Sequence, residues 1–201
     1  MANGRVCTGF SMPWVALYSE SSGVVTYSGG IPLARGVDVS LSVEGADDNY
    51  FYADNVLAES GNKVFQSGTV TLTVDGLKDT ARKMIMGLTA TRSVQVTSGV
   101  TVVFDQYDDT QDVPYVGIGF VVRYMEDGNE TYVPYILNKV KFSDDGLDAA
   151  TQEATIDFQT QQLAATIFRD DTAAKAWKLI GAEQTTETAA LNAIKAVLTA
   201  A

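Results

Sequence analysis

Carboxylates are the side chains through which this sequence could do chemistry. Asp105, Asp108, Asp109 and Asp112 crowd one short stretch, and Asp144-Asp145-Gly146-Leu147-Asp148 forms a second cluster. A calcium loop of the EF-hand type needs oxygen ligands at alternate positions, a glycine at the sixth and a glutamate at the twelfth. Neither cluster has that spacing, so both read as solvated turns in which Asp bonds its own backbone. The chain has no histidine. That removes the commonest general base and metal ligand, and with them His-dependent triads and His-based zinc sites. The single cysteine, Cys7, cannot form an internal disulfide and reads as a small buried side chain. No glycine-rich strand-to-helix loop carries a Lys-Ser or Lys-Thr, so no phosphate cradle is expected. Basic residues are scattered, and Trp14 and Trp177 read as core or interface fillers rather than a base-stacking platform. These readings predict a protein that is not an enzyme, with no catalytic residue, no cofactor and no metal.

The formal net charge is −11 over 201 residues. An acidic surface repels free nucleic acid and keeps a monomer soluble before assembly. It argues against a groove that grips DNA, though not against a channel through which DNA slides. Met1 to Tyr18 lacks a basic start followed by a long apolar run, and no window approaches the length of a membrane span. The expectation is a protein made in the cytoplasm, with no membrane partner.

Strand patterns must position whatever function there is. Val37-Asp38-Val39-Ser40-Leu41-Ser42-Val43-Glu44 alternates without a break, placing the apolar residues on one face and Asp38 and Glu44 on the other, wet one. Thr69 to Asp75 repeats this, with Val70, Leu72 and Val74 inward. Gly45 to Gly68 between them is long for a hairpin loop and carries Tyr50, Phe51, Tyr52, Val56 and Leu57. It is either a flap on the domain's own core or an arm reserved for a neighbouring copy.

Leu77 to Leu88 switches to helical period, with Asp75 as expected N-cap and Gly87 as expected stop. Strands are predicted over Val94–Phe104 with a turn at Gly99, over Tyr115–Met125, and over Thr131–Phe142 after the Asp127-Gly128 turn. Further strands are expected at Ala154–Phe158 and Ala165–Phe168. Gly117 and Gly119 suggest a bulge or a close backbone approach. Ala173–Ile180 reads as weakly helical. Ala189–Ala201 reads as an Ala-rich helix, too short to be stable undocked, with Leu191, Ile194, Val197 and Leu198 on one face. The predicted fold is mainly β: a β-sandwich or partial barrel over residues 1–172 with one flanking α-helix, plus a helical extension over 173–201.

The order of these segments resembles the major tail tube proteins of long-tailed, non-contractile phages, especially those of Gram-positive hosts. The resemblance runs over roughly residues 5 to 170. It rests on Gly9-Phe10 to Tyr18, Val37–Glu44, Tyr52-Ala53-Asp54-Asn55, Phe65-Gln66-Ser67-Gly68-Thr69-Val70-Thr71-Leu72 leading into the helix, Val116–Phe120 followed by Tyr132–Phe142, and Thr155–Thr160. It implies a structural virion subunit in the phage tail. Hexameric rings would stack on a tape-measure protein, between tail terminator and distal tail proteins, into a tube for DNA ejection. DNA would pass without specific binding. Tyr50, Phe51, Tyr52, Val56 and Leu57 are then expected at inter-subunit contacts, and Asp38 and Glu44 in the lumen lining. A carbohydrate- or receptor-binding β-sandwich and a head-tail joining ring protein are the alternatives.

Overall fold

The computed structural model describes residues 4–45, 50–60, 64–143, 146–147, 149–151 and 158–199, and for 50–53 and 56–60 the backbone alone. The protein is mainly β, as the alternating segments predict, with two helices.

Seven strands form one continuous antiparallel path. From one margin to the other it runs β2 (Val24–Pro32), β1 (Val6–Ser21), β9 (Val116–Glu126), β10 (Asn129–Phe142), β11 (Gln161–Phe168), β6 (Phe65–Val74) and β3 (Gly36–Gly45). A short β12 (Lys178–Ile180) extends the β10 side through Tyr135, Ile136 and Leu137. Two hairpins stand apart from this sheet: β4 (Tyr50–Ala53) with β5 (Val56–Ser60), and β7 (Thr91–Thr97) with β8 (Val100–Asp105). The sheet curls until β3 approaches β1. Leu33 donates its backbone N–H to Pro13 O at 2.9 Å. Gly36 lies so close under the Phe10 ring that a Cβ there would stand 2.2 Å from it.

The inside of the curl is the main core. Val70, Leu72 and Val74 are fully buried as their alternation predicts, packed with Val15, Leu33, Ile118, Val140, Phe142, Leu163 and Ile167. Helix α1 (Asp79–Met86) adds Ala81, Ile85 and Met86 to it. Gly87 ends α1 at φ 63°, as expected. Only glycine suits this position, because a Cβ there would also meet Asp112 O at 2.0 Å. The expected N-cap is corrected. Lys78 holds the cap position with no side-chain bond, because Asp75 is already committed to the backbone N–H and guanidinium of Arg35.

The outside of the curl has two halves. Helix α2 (Glu187–Leu198) covers one half, burying Ala190, Ile194 and Leu198 against Ala16, Tyr27, Val121 and Ile136. Burying Ile194 and Leu198 contributes about 1.5–3 kcal/mol each, enough to hold a helix that would be marginal alone. Thr186 caps it by accepting from the Ala189 N–H at 3.2 Å. Gly117 and Gly119 mark the close approach: a Cβ at either would collide with Leu198 or Ile194. Among the described residues, the other half, on β3, β6 and β11, carries no helix.

Three local expectations are corrected. Lys178–Ile180 is strand rather than helix, because its backbone pairs with β10. Cys7 is exposed, at a register irregularity between Cys7 and Gly9 near the start of β1. Val37 and Val43 are exposed too, because β3 is a sheet margin with a bulge at its start. The Ala154–Phe158 strand falls, except for Phe158, outside the described residues.

Candidate assembly surfaces

The uncovered outer half of the sheet is built by strict alternation. Cross-strand pairs Asp38–Thr73, Ser40–Thr71 and Ser42–Thr69 lie side by side on it, continued by Gln162, Ala164 and Thr166 of β11. Asp38 and Glu44 both stand exposed on this face. Glu44 accepts a long hydrogen bond from the Ser67 hydroxyl at 3.4 Å. The face is therefore rich in hydroxyls, with carboxylates at its free margin. Among the described residues, β3 at that margin and β2 at the opposite one each have a neighbour on one side only. Such rows of unpaired backbone groups are templates for another strand.

The β4–β5 hairpin occupies the stretch expected to be an arm. Its two-residue turn, Asp54-Asn55, has positive φ at both positions, the geometry of a type I′ turn. The backbones of Tyr50, Phe51, Tyr52, Val56 and Leu57 all lie in its strands. Their side chains fall outside the described residues.

Sequence reasoning placed a strand pair at Val94–Phe104 but missed its exposure. Every residue from Thr91 to Phe104 is exposed, including Val94, Val96, Val100, Val102, Val103 and Phe104. The hairpin is rigidly rooted all the same. The Asp105 carboxylate accepts from the Arg82 guanidinium at 2.9 Å and pairs with Lys83 Nζ at 2.8 Å, both on α1. These contacts, the Lys83 hydrogen bond foremost, hold the Asp105 carboxyl below the usual carboxylate range. Gln106 N–H donates to Ala90 O at 2.9 Å, closing the root. The rest of the acidic loop behaves as turn chemistry. Asp108 accepts from the Thr110 hydroxyl, the Thr110 N–H and the Gln106 amide, which lower its pKa. Among the described residues, no three acids or thiols converge into a metal-binding group.

Beside α2 lies a groove of about 440 Å³. Met12, Pro13, Trp14, Pro32 and Leu191 supply apolar walls, with Glu187 and Arg35 among its polar lining. The Trp14 indole N–H is buried without a partner among the described residues.

A polar cluster ties β1 and β10 to the 169–176 turn. Tyr18 OH donates to Asp171 Oδ2 at 2.8 Å and accepts from Asp171 N–H at 3.0 Å. Lys139 Nζ pairs with the same oxygen at 2.6 Å. Buried Asp170 accepts from Asn138 Nδ2 at 2.9 Å and from the Thr172 hydroxyl at 2.7 Å. Tyr27 OH donates to Asn138 O at 2.9 Å. Burial raises Tyr18 to about 12 and Tyr27 further still. Lys139 pulls Asp171 down. Tyr18, Lys139, Asn138 Nδ2 and Asp170 hold the turn against the sheet, while Asn138 Oδ1 is buried without a partner among the described residues.

No protein-family model matches the chain, and no curated protein does. Among the described residues, no helix is long and apolar enough to cross a membrane.

Proposed function

We propose that the chain is a structural subunit that self-assembles into stacked hexameric rings, the tube of a long-tailed phage, through which DNA is ejected. The observation that carries this reading is the pair of half-paired margins, β2 and β3, at opposite ends of one curled sheet. Copies laid margin to margin satisfy both rows of backbone groups, and a ring removes the exposed edges altogether. A contact between successive rings does not close on itself, so it propagates as a filament.

The bare outer face of β3, β6 and β11 then lines the lumen. Its hydroxyls exchange hydrogen bonds with water, and Asp38 and Glu44 repel phosphate, so DNA passes without being held. The −11 charge suits this role and keeps the unassembled subunit soluble. Tape-measure, terminator and distal tail proteins are the partners of such a tube, and the virion tail is its location.

Electron microscopy of the purified chain at rising concentration tests the reading. Long hollow tubes are expected. Single rings that do not stack would point to a head-tail joining protein. Featureless particles at every concentration would overturn self-assembly and favour a carbohydrate- or receptor-binding module. A density map of the tubes with Asp38 and Glu44 on the outer wall would end the assignment of the lining.

A further inference from the structure

The β7–β8 hairpin has an amphipathic construction, and its apolar side is exposed among the described residues, flanked at the root by Gln106 and Tyr107. Cross-strand partners share a face, so Arg92 with Phe104 and Val94 with Val102 form one continuous surface. The opposite face carries Ser93 with Val103 and Gln95 with Thr101. Phe104 is 52% exposed and Val96 61%. Exposed apolar surface on a projecting, well-rooted arm marks a contact surface. A two-stranded hairpin is marginal alone in water and gains order when a face is covered.

The groove beside α2 is its complement. Its walls are largely apolar and wide enough for an aromatic side chain; the Glu187 carboxylate, which accepts from the Ser11 hydroxyl, lies among them, and the nearby Arg35 guanidinium is already paired with Asp75. The arm presents an aromatic ring with a guanidinium directly across the hairpin from it. Phe104 in the groove would bring Arg92 to Glu187, a charge match in the same register as the apolar one. Charge also selects the occupant. Whole copies at −11 repel each other, whereas Arg92 is the only charge from Thr91 to Phe104. The hairpin thus brings no negative charge of its own to another acidic copy. Among the described residues of its own chain, nothing buries the arm's apolar face.

We propose that the β7–β8 hairpin is a docking arm. Its Phe104–Arg92 face seats in the Met12–Trp14–Leu191 groove of a second copy of this chain, with Arg92 paired to Glu187. The inference rests on the self-assembly reading and names one contact within it.

Two sets of variants test this on the full chain. In a Cys7→Ser background, Phe104→Cys and Leu191→Cys are combined, and assembled material is mildly oxidised. A ladder of cross-linked multimers on a non-reducing gel is expected from the double variant. Mixing the two single variants should give cross-linked Phe104→Cys/Leu191→Cys dimers. The second set is Val102→Asp with Phe104→Asp. Both side chains are exposed, so circular dichroism should be unchanged while the concentration needed for assembly rises about tenfold or more. Arg92→Glu should weaken assembly, and adding Glu187→Arg should restore it. If wild type assembles but the cross-links are absent and the aspartate variant assembles equally well, the docking proposal falls and self-assembly stands. If wild type forms no assembly at all, both fall.

Discussion

Gly119 lies directly beneath Ile194: a methyl group placed on its Cα would stand 2.2 Å from Ile194 Cγ2. The missing side chain in β9 is what lets α2 settle on the sheet. Gly119→Ala should therefore lift the helix and cost about 1–3 kcal/mol, the usual penalty for overpacking a tight site. Urea denaturation checks this. Ile194→Ala alone should cost about 2–5 kcal/mol through the cavity it leaves. In that background Gly119→Ala should have little further effect, because the colliding group is gone. Additive losses in the double-mutant cycle would mean the helix does not bear on Gly119.

Asp105 joins the exposed hairpin to α1, and its depressed pKa gives that joint a pH dependence. The folded carboxyl holds its charge to lower pH than an unfolded one, by virtue of Lys83 and then Arg82. Its contribution is fully present above the ordinary carboxylate range, about pH 4. It is lost as pH falls through the lower, folded value. The protection of the β7–β8 amides, measured as exchange relative to the intrinsic rate at each pH, should fall on acidification in that window. Asp105→Asn should exchange fast already at neutral pH and show a flatter acid response. Equal protection in the two proteins at neutral pH would dismiss the joint.

Much of this framework is legible in the residues, and the failures have physical causes. Val70, Leu72 and Val74 alternate and are buried, because β6 has a neighbour on each side and a core beneath it. Val37 and Val43 alternate just as well but stay exposed, because period two reports a face and not whether that face is covered. β2 is hard to read because Tyr27 is its only buried side chain. On α2, the helical period places Leu191, Ile194, Val197 and Leu198 on one face. Contact instead follows a strict four-residue step through Ala190, Ile194 and Leu198, leaving Val197 exposed. Gly117 and Gly119 signalled a close approach, but a strand glycine does not say which element approaches. The exposed hairpin was hardest to read, since its valines alternate like those of any core strand.

Replacing residues 46–64 with an Asn-Gly turn separates folding from assembly. Gly45 already pairs with Phe65, so the β3–β6 ladder closes without the intervening arm. The shortened chain should keep its thermal midpoint within a few degrees and remain monomeric where wild type forms tubes. Size-exclusion chromatography and microscopy read the two outcomes. Unimpaired tubes would remove the β4–β5 arm from the assembly surface.

Tyr18, Tyr27 and Tyr135 predict the alkaline limit of the fold. Burial raises Tyr18 and Tyr135 from 10.0 to about 12, Tyr135 with help from its 2.9 Å hydroxyl contact to Tyr124. Tyr27 is raised as well, again by burial. Between pH 10 and 12 the unfolded chain loses these protons while the native one keeps them, so stability falls as pH rises through that window. Tyrosinate absorbance should climb in two steps. The first comes from exposed phenols, and the second coincides with loss of the far-ultraviolet dichroism. Tyr18→Phe removes both bonds to Asp171 and should cost about 2 kcal/mol at neutral pH. It also removes one of the groups whose ionisation drives alkaline unfolding. The gap between variant and wild type should therefore shrink as pH rises from 10 toward 12. A gap that stays constant across that range would show that Tyr18 ionises alike in the folded and unfolded chains.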